Sequence, residues 1–152
     1  SVLEIIGRNE AGSWVLIRGV GGTNACWVKA SLLEIRGDVL TVAPTETVLP
    51  PSPYYGPLTG VTASRDGEFV TVSWNPLDLR AGDDSEQTPY VVEAWVRQAG
   101  KLVFMPVGSA YPMVEIQDEW GCSEPSRARV TAAEKHGYTA FVEVAWPPAA
   151  QP

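Results

Sequence analysis

Gly60-Val-Thr-Ala-Ser-Arg-Asp-Gly-Glu-Phe-Val-Thr-Val-Ser-Trp-Asn-Pro76 is the stretch that decides the fold class of this chain. It predicts two strands, Val61–Ser64 and Phe69–Trp74, around an Asp-Gly turn, because Gly67 can take the positive φ of a tight hairpin turn. In the second strand valines alternate with Thr and Ser, which makes one face apolar and the other polar. Pro76 ends the strand because proline has no N–H for a sheet hydrogen bond. The stretch therefore predicts half of an antiparallel β-sandwich.

The chain after this hairpin continues with evenly spaced strand patterns as far as residue 147. Turn residues separate them, and a closing hairpin is predicted around Lys135-His136-Gly137. Seven short strands at such spacing are typical of a β-sandwich. Four tryptophans lie at strand positions that suit a core: Trp14, Trp27, Trp74 and Trp95. The strands predicted after the first hairpin are Tyr90–Val96, Leu102–Val107, Met113–Ile116, Arg127–Glu134 and Tyr138–Trp146.

The N-terminal part predicts a separate, smaller β-lobe. Its strands are Val2–Ile6, Trp14–Arg18 and the very short Cys26–Val28, and a single 3₁₀ turn is expected at Ala30–Leu33. A proline-rich stretch without a hydrophobic period follows and is expected to be an extended linker. The predicted organisation is a lobe at 1–42, a linker at 43–57, a sandwich at 58–147 and a tail at 148–152.

The order Gly12-Ser13-Trp14-x-x-Ile17, a Gly-rich gap and Cys26-Trp27-Val28-x-x-Ser31-Leu32-Leu33 resembles bacterial SH3-like (SH3b) domains. The resemblance covers residues 1–42. It implies a small SH3-like barrel that lacks its opening strand, so we expect the chain to start partway into the barrel. It also implies that a cysteine in that strand would be the natural partner of Cys26.

Trp74, Tyr90 and the run from Ala132 to Gly137-Tyr138 resemble fibronectin type III domains over residues 54–147. The fold class expected is therefore all-β, with a small SH3-like barrel fragment followed by an Ig/fibronectin III-like seven-stranded antiparallel sandwich. The two resemblances together imply a non-catalytic, extracytoplasmic module of a bacterial surface or secreted protein, with a structural or adhesive role.

Charge and hydropathy exclude several partners. The net charge of −7 repels nucleic acid and anionic membrane surfaces. No apolar run approaches the roughly 20 residues of a membrane-spanning helix, so we expect no membrane insertion. The partners that remain are another protein, further copies of this chain, or a glycan.

The sequence offers little for catalysis, and we expect neither an enzyme nor a cofactor or metal site. His136, the single histidine, is expected to be an exposed hairpin-tip residue, and no metal-ligand spacing includes Cys26 or Cys122. We also expect no Cys26–Cys122 disulfide, because the two lie in different predicted domains. The acidic stretch 83–86 lacks EF-hand spacing, so a solvated loop is expected, and weak Ca²⁺ binding stays an alternative. Asp118 and Glu119 are strand neighbours that point apart, unlike a glycosidase pair.

Three aromatic residues outside the predicted strands are candidates for binding. Tyr54 and Tyr55 lie in the linker, and Trp120 lies in a predicted loop. Exposed aromatic rings stack on sugars or anchor protein contacts. The alternative function is therefore a carbohydrate- or cell-wall-binding accessory module.

An incomplete barrel predicts an unpaired strand edge, which is a template for adding another strand. We place this edge near Ile5 or Leu16. The donor could be the chain's own linker, another copy, or residues upstream. If copies donate strands head to tail without closing a ring, a filament results.

Overall fold

The fold is described by a computed structural model, which covers residues 2–9, 12–45, 49–121 and 124–149. Eleven strands and two short 3₁₀ turns make up its regular structure, and no α-helix occurs in these ranges. The predicted all-β fold class is therefore confirmed. Within the same ranges, no helix is long and apolar enough to cross a membrane.

The chain forms two compact units, Ser1–Val48 and Leu49–Pro152. The division lies inside the stretch predicted as a linker, 43–57. Residues 49–57 therefore belong to the second unit.

The first unit is built on one antiparallel sheet of three strands in the order β1-β2-β3. These strands are β1 (Leu3–Arg8), β2 (Trp14–Gly19) and β3 (Ala25–Lys29), close to the predicted ones. The register of β1 on β2 shifts between Ile5 and Gly7. Only Val15 and Ile17 among the described hydrophobic residues of this unit are buried, so its core is small.

Two 3₁₀ turns follow the sheet of the first unit, at Ala30–Leu32 and Val39–Thr41. The first is the predicted one. The second begins after Asp38, whose carboxylate accepts a hydrogen bond from the amide of Leu40 at 2.9 Å. This side-chain bond satisfies an amide that the start of a turn leaves unpaired.

The second unit contains two antiparallel sheets. One has the strand order β4-β5-β8, and the other has the order β10-β9-β6-β7 with β11 also paired to β9. Within the described residues of this unit there are eight strands, where seven were expected. They are β4 (Thr62–Asp66), β5 (Phe69–Ser73), β6 (Tyr90–Gln98), β7 (Lys101–Ser109), β8 (Met113–Gln117), β9 (Arg127–Glu134), β10 (Gly137–Tyr138) and β11 (Val142–Glu143).

The predicted hairpin of Gly60–Pro76 is present as β4 and β5. Asp66 pairs with Phe69, which leaves a two-residue turn in which Gly67 has a φ of +59°. A type II′ turn needs glycine at this first central position. Val70 and Val72 of β5 are fully buried, as the alternation predicted.

The core of the sandwich comes from alternate residues of the facing strands. In β6 the inward residues Tyr90, Val92, Ala94 and Val96 are all buried. Trp74 packs edge-on against Tyr90 with ring centroids 5.3 Å apart. The rest of the unit completes the buried cluster with Leu58, Val70, Val72, Val114, Ile116, Ala128, Val130, Ala132 and Val144.

The closing strand differs from its prediction. A continuous strand Tyr138–Trp146 was expected, but β10 and β11 are separate and their registers on β9 differ by one residue. Tyr138 pairs with Ala133, whereas Val142 pairs with Val130. Between these pairs, the three residues 139–141 lie opposite the two residues 131–132 of β9, and this extra residue makes a β-bulge. At the interruption, the Thr139 hydroxyl accepts a hydrogen bond from the amide of Ala132 at 3.0 Å.

Candidate binding surfaces

The outer side of β1 forms one edge of the sheet in the first unit. Pro44 makes a parallel bridge with Arg8, and the amide of Thr45 donates to the carbonyl oxygen of Arg8 at 2.8 Å. From Leu3 to Ile6, β2 is the only backbone partner found in the part of the chain that the structure describes. We call Leu3–Ile6 the open edge.

The two residues predicted to mark a strand-pairing edge have different positions. Ile5 lies in the open edge. Leu16 lies in β2, where it pairs with Gly7 on one side and with Trp27 on the other. The prediction for Leu16 is wrong, because the middle strand of three consecutive antiparallel strands has no free side.

Apolar side chains stay exposed in the first unit. The exposed fractions are 82% for Val2, 45% for Leu3 and 75% for Leu32. Cys26 in β3 is exposed. Cys122, and with it the predicted absence of a Cys26–Cys122 disulfide, lies outside the described residues.

The predicted binding residues Tyr54 and Tyr55 belong to the second unit. Tyr54 is 61% exposed, and its ring meets His136 edge-on at 4.9 Å between centroids. The Tyr55 hydroxyl donates to the Asp83 carboxylate and accepts from the amide of Arg80 at 3.0 Å. The bond to Asp83 raises the pKa of Tyr55 above 10.0, although the bond from Arg80 partly opposes it.

His136 lies at the tip of the β9–β10 hairpin, as predicted, and contacts a buried carboxylate. The Glu134 side chain is fully buried; its Oε2 accepts from the His136 amide at 2.9 Å and lies 3.0 Å from Nδ1. Burial opposes ionisation of Glu134. Hydrogen bonds from the His136 amide, the Ser52 side chain and the His136 ring outweigh it and hold the pKa of Glu134 below 4.5.

The segment that carries the two tyrosines is fastened to the same hairpin by its backbone. The amide of Tyr138 donates to the carbonyl of Pro50 at 2.9 Å, and the amide of Ser52 donates to the carbonyl of Tyr138 at 2.7 Å. These bonds need a close approach at Gly137, where an added Cβ would lie 2.6 Å from the Pro50 oxygen. The tyrosines therefore lie on a segment held against β10.

Asp118, which follows β8, is a fully bonded structural carboxylate. Its oxygens accept from the amide of Arg97 at 3.0 Å, the Ser126 hydroxyl at 2.6 Å and the Trp146 indole at 3.0 Å, and Arg65 forms an ion pair with it. Burial alone would raise the pKa of Asp118, but these bonds outweigh it and hold the pKa below 3.8. No lone pair of this carboxylate is left for a substrate proton.

Trp120 is half-buried in the segment after Asp118. The neighbouring Glu119 carboxylate accepts from the amide of Ala99 at 2.9 Å and so has a structural partner of its own. Ala99 has a φ of +51°, so this bond also holds a turn residue in an unfavourable conformation. Two carboxylates with separate structural partners do not face one substrate.

The tyrosines and Trp120 lie at opposite ends of the sandwich. Near His136, the amide of Ala133 in β9 donates to the carbonyl oxygen of Pro89, just before β6. Near Trp120, the amide of Glu119 donates to the carbonyl oxygen of Arg97, near the end of β6. Eight residues of extended chain separate these points on the β6 side, roughly 26 Å at 3.3 Å per residue. The three aromatic residues therefore do not form one binding surface.

The outward face of the five-stranded sheet carries a group of side chains that the sequence analysis did not identify. Trp95, expected in the core, lies on this face beside Phe104, with ring centroids 5.1 Å apart. The guanidinium of Arg127 lies over the indole at 3.6 Å, and that of Arg129 lies over Phe141 at 4.0 Å. The alternation of β6 contained the signal, because the buried Ala94 and Val96 on the two sides of Trp95 place it on the opposite face.

Carboxylates in the described ranges do not gather into a metal site: there, no three His, Cys, Asp or Glu side chains are placed to hold an ion. In the acidic loop 83–86, Asp83 is engaged by Tyr55.

No family model matches the chain, and no curated protein matches it. Among solved structures, the chain is similar to one titled "Titin kinase and its flanking domains" at 20% identity and a TM-score of 0.42. The similarity covers 59% of this chain and 16% of that chain.

Proposed function

We propose that this chain is a non-catalytic, extracytoplasmic structural module of a bacterial surface or secreted protein that self-assembles by strand addition at the open edge. The observation that carries the proposal is the open edge itself, Leu3–Ile6, on a sheet that has three strands in the described part of the chain. The location and source rest on the resemblance to SH3b and fibronectin type III domains.

The small core of the first unit supports a need for a partner. Val15 and Ile17 are the buried hydrophobic residues among those described in this unit, whereas Val2 and Leu3, at the start of the open edge, are 82% and 45% exposed. Units of about 40 residues seldom bury enough apolar surface to be stable alone. A strand added at β1 would cover apolar side chains and pair the free backbone groups.

The partner that the sheet fits is a second copy of the chain. β1 and β3 are the two outer strands of the same sheet, so each copy can pair through β1 with one neighbour and through β3 with another. β3 of one copy paired with β1 of the next continues the sheet without any other protein. Such head-to-tail contacts are heterologous, and they build a filament unless the rotation between copies closes a ring.

Glycan binding by the aromatic residues has less support. Tyr54 packs on His136, the Tyr55 hydroxyl is bonded to Asp83, and Trp120 lies at the other end of the sandwich. Loss of glycan binding in Trp120→Ala would favour this alternative over the proposed function.

The experiment is sedimentation velocity over a hundredfold range of concentration, with the variants Leu3→Lys and Leu32→Lys. Lysine on an edge strand opposes pairing, so we expect the unchanged chain and Leu32→Lys to self-associate and Leu3→Lys to stay monomeric. Leu32 is the matched control because it is exposed but lies in a 3₁₀ turn and not at the edge.

Amide hydrogen exchange provides the second readout. We expect the amides of Leu3–Ile6 that do not face β2 to become protected when the chain assembles. A monomer at every concentration, or assembly that leaves these amides unprotected, would overturn the proposal.

A further inference from the structure

The outward face of the β10-β9-β6-β7 sheet presents an arginine stacked on a tryptophan, with apolar side chains beside it. Trp95 of β6 lies between Arg127 of β9 and Phe104 of β7, which are its register partners. Leu102 and Pro106 lie on the same side of β7 as Phe104, and all three are half-buried. Tryptophan and arginine in an apolar surround are the residue types that dominate binding energy at protein interfaces.

Arg127 is exposed, and its side chain is stacked on the ring of Trp95. The guanidinium carbon lies 3.6 Å from the centroid of the Trp95 ring. Within the described residues, neither an acceptor nor a carboxylate bonds to this guanidinium. A stacked guanidinium keeps its N–H groups in the plane of the fork, where they can bind a carboxylate through two parallel hydrogen bonds.

The other two arginines of this face already have partners. Arg129 binds the Glu93 carboxylate at 2.7 Å and has Glu143 opposite it in the register of β11. Arg97 donates to the carbonyl oxygen of Glu124 at 2.9 Å. Among the described residues of this face, Arg127 is therefore the arginine that remains open to a ligand.

We propose that this face is a docking site for an acidic polypeptide segment, in which a Glu or Asp carboxylate binds Arg127 and a neighbouring apolar side chain packs on Phe104. The positive charge of Arg127 is complementary to a carboxylate. The residue opposite Arg127 on β6 is Trp95, so no acidic side chain pairs with it there. The site belongs to the second unit, so it stands or falls independently of strand addition at the open edge.

Two other kinds of polymer fit the face less well. Sugars stack on an open aromatic face, and here Arg127 covers one face of the Trp95 indole while Phe104 lies beside it. Nucleic acid binds through several phosphate contacts to Lys and Arg, whereas the described part of this face has one arginine without a carboxylate or carbonyl partner. A short carboxylate-bearing peptide needs a single cation and no open aromatic ring.

The test uses the full chain and a pair of probe peptides, Ac-Leu-Glu-Leu-Glu-Leu-NH₂ and its Gln counterpart. Binding is followed by NMR through the Trp95 indole N–H and the Arg127 Nε–H. We expect the Glu peptide to shift both signals in a saturable and salt-sensitive way, and the Gln peptide to bind at least fivefold more weakly.

The variants are Arg127→Gln and, as the control, Arg80→Gln, which removes the same charge from an exposed loop of the same unit. We expect Arg127→Gln to lose affinity for the Glu peptide at least fivefold while Arg80→Gln keeps it. Thermal unfolding of each variant verifies that it is folded.

Three results would overturn the proposal. The first is a Glu peptide that leaves both signals unmoved, and the second is equal affinity in Arg127→Gln and the unchanged chain. The third is binding of polygalacturonate or a single-stranded oligonucleotide, but not of the peptide, at this face.

Discussion

Arg65 and Asp118, which lie 53 positions apart in the sequence, form an ion pair whose side chains are 8% and 0% exposed. The same guanidinium donates to the carbonyl oxygen of Pro147 at 3.1 Å, and the Trp146 indole completes the carboxylate's shell. The pair therefore joins β4, the segment after β8 and the end of the described chain.

Replacement of Arg65 by Met should destabilise the chain strongly. It leaves the buried Asp118 carboxylate without its cation, and breaking one side of a buried pair costs about 3–5 kcal/mol. Asp66→Asn, in the same hairpin but exposed, should change stability by less than about 0.5 kcal/mol. Urea denaturation at neutral pH measures both, and a loss below about 1 kcal/mol for Arg65→Met would contradict the role given to the pair.

The stability of the second unit should fall as the solution becomes acidic. The pKa of Asp118 is below 3.8 and that of Glu134 below 4.5 in the folded protein, so in the acid range the unfolded chain binds more protons. Both groups contribute their full stabilisation at pH values above their ordinary pKa values of 3.8 and 4.5. This stabilisation is lost as the pH falls through the lowered pKa values of the folded protein. Asp118→Asn should flatten this dependence in urea denaturation from about pH 6 to pH 2. An unchanged slope would disprove the contribution of Asp118.

Gly137→Ala should loosen the segment that carries Tyr54 and Tyr55. The added Cβ would lie 2.6 Å from the Pro50 oxygen, which is backbone and has to move, at a cost of about 1–3 kcal/mol. Gly56→Ala is the matched control, because nothing lies within 4 Å of its Cβ. Faster amide exchange at Ser52 in Gly137→Ala alone is expected. Equal exchange in both variants would show that this contact does not hold the segment.

Gly7→Ala should detach the Thr45 end of the first unit from β1. Its Cβ would lie 2.5 Å from the Thr45 hydroxyl oxygen, whereas Gly19→Ala meets nothing within 4 Å. We expect limited proteolysis to cut near Thr45 faster in Gly7→Ala than in Gly19→Ala. Equal cutting rates would mean that the side chain of Thr45 turns aside at little cost.

The sequence predicted the features that depend on neighbouring residues. The alternation in β5 and the turn at Gly67 indicated the first hairpin, because side-chain period and glycine geometry are local properties. The same rule applied to β6 would have placed Trp95 on the outward face. The side of the sheet that Trp95 faces is decided by its place in the alternation, although tryptophan is a residue type common in cores.

The features that sequence could not supply depend on distant partners. The residues next to Asp118 in the sequence do not indicate that Arg65 and Trp146 will contact it. These contacts form only in the folded sandwich, which brings the distant segments together. Glu134 at the end of β9 is buried by its own hairpin and the Ser52 segment, against the usual exposure of glutamate. Likewise, strand order along the chain did not reveal that Leu16 lies in the central strand.

The extra residue between β10 and β11 makes this part of the chain intolerant of changes in length. It puts Val142 opposite Val130 and leaves Val144 buried. Deletion of Ala140 would remove the bulge and reverse every later side chain, so that Glu143 would point inward and Val144 outward. Insertions and deletions at 139–141 should therefore be far rarer among natural variants of this chain than substitutions at the same positions.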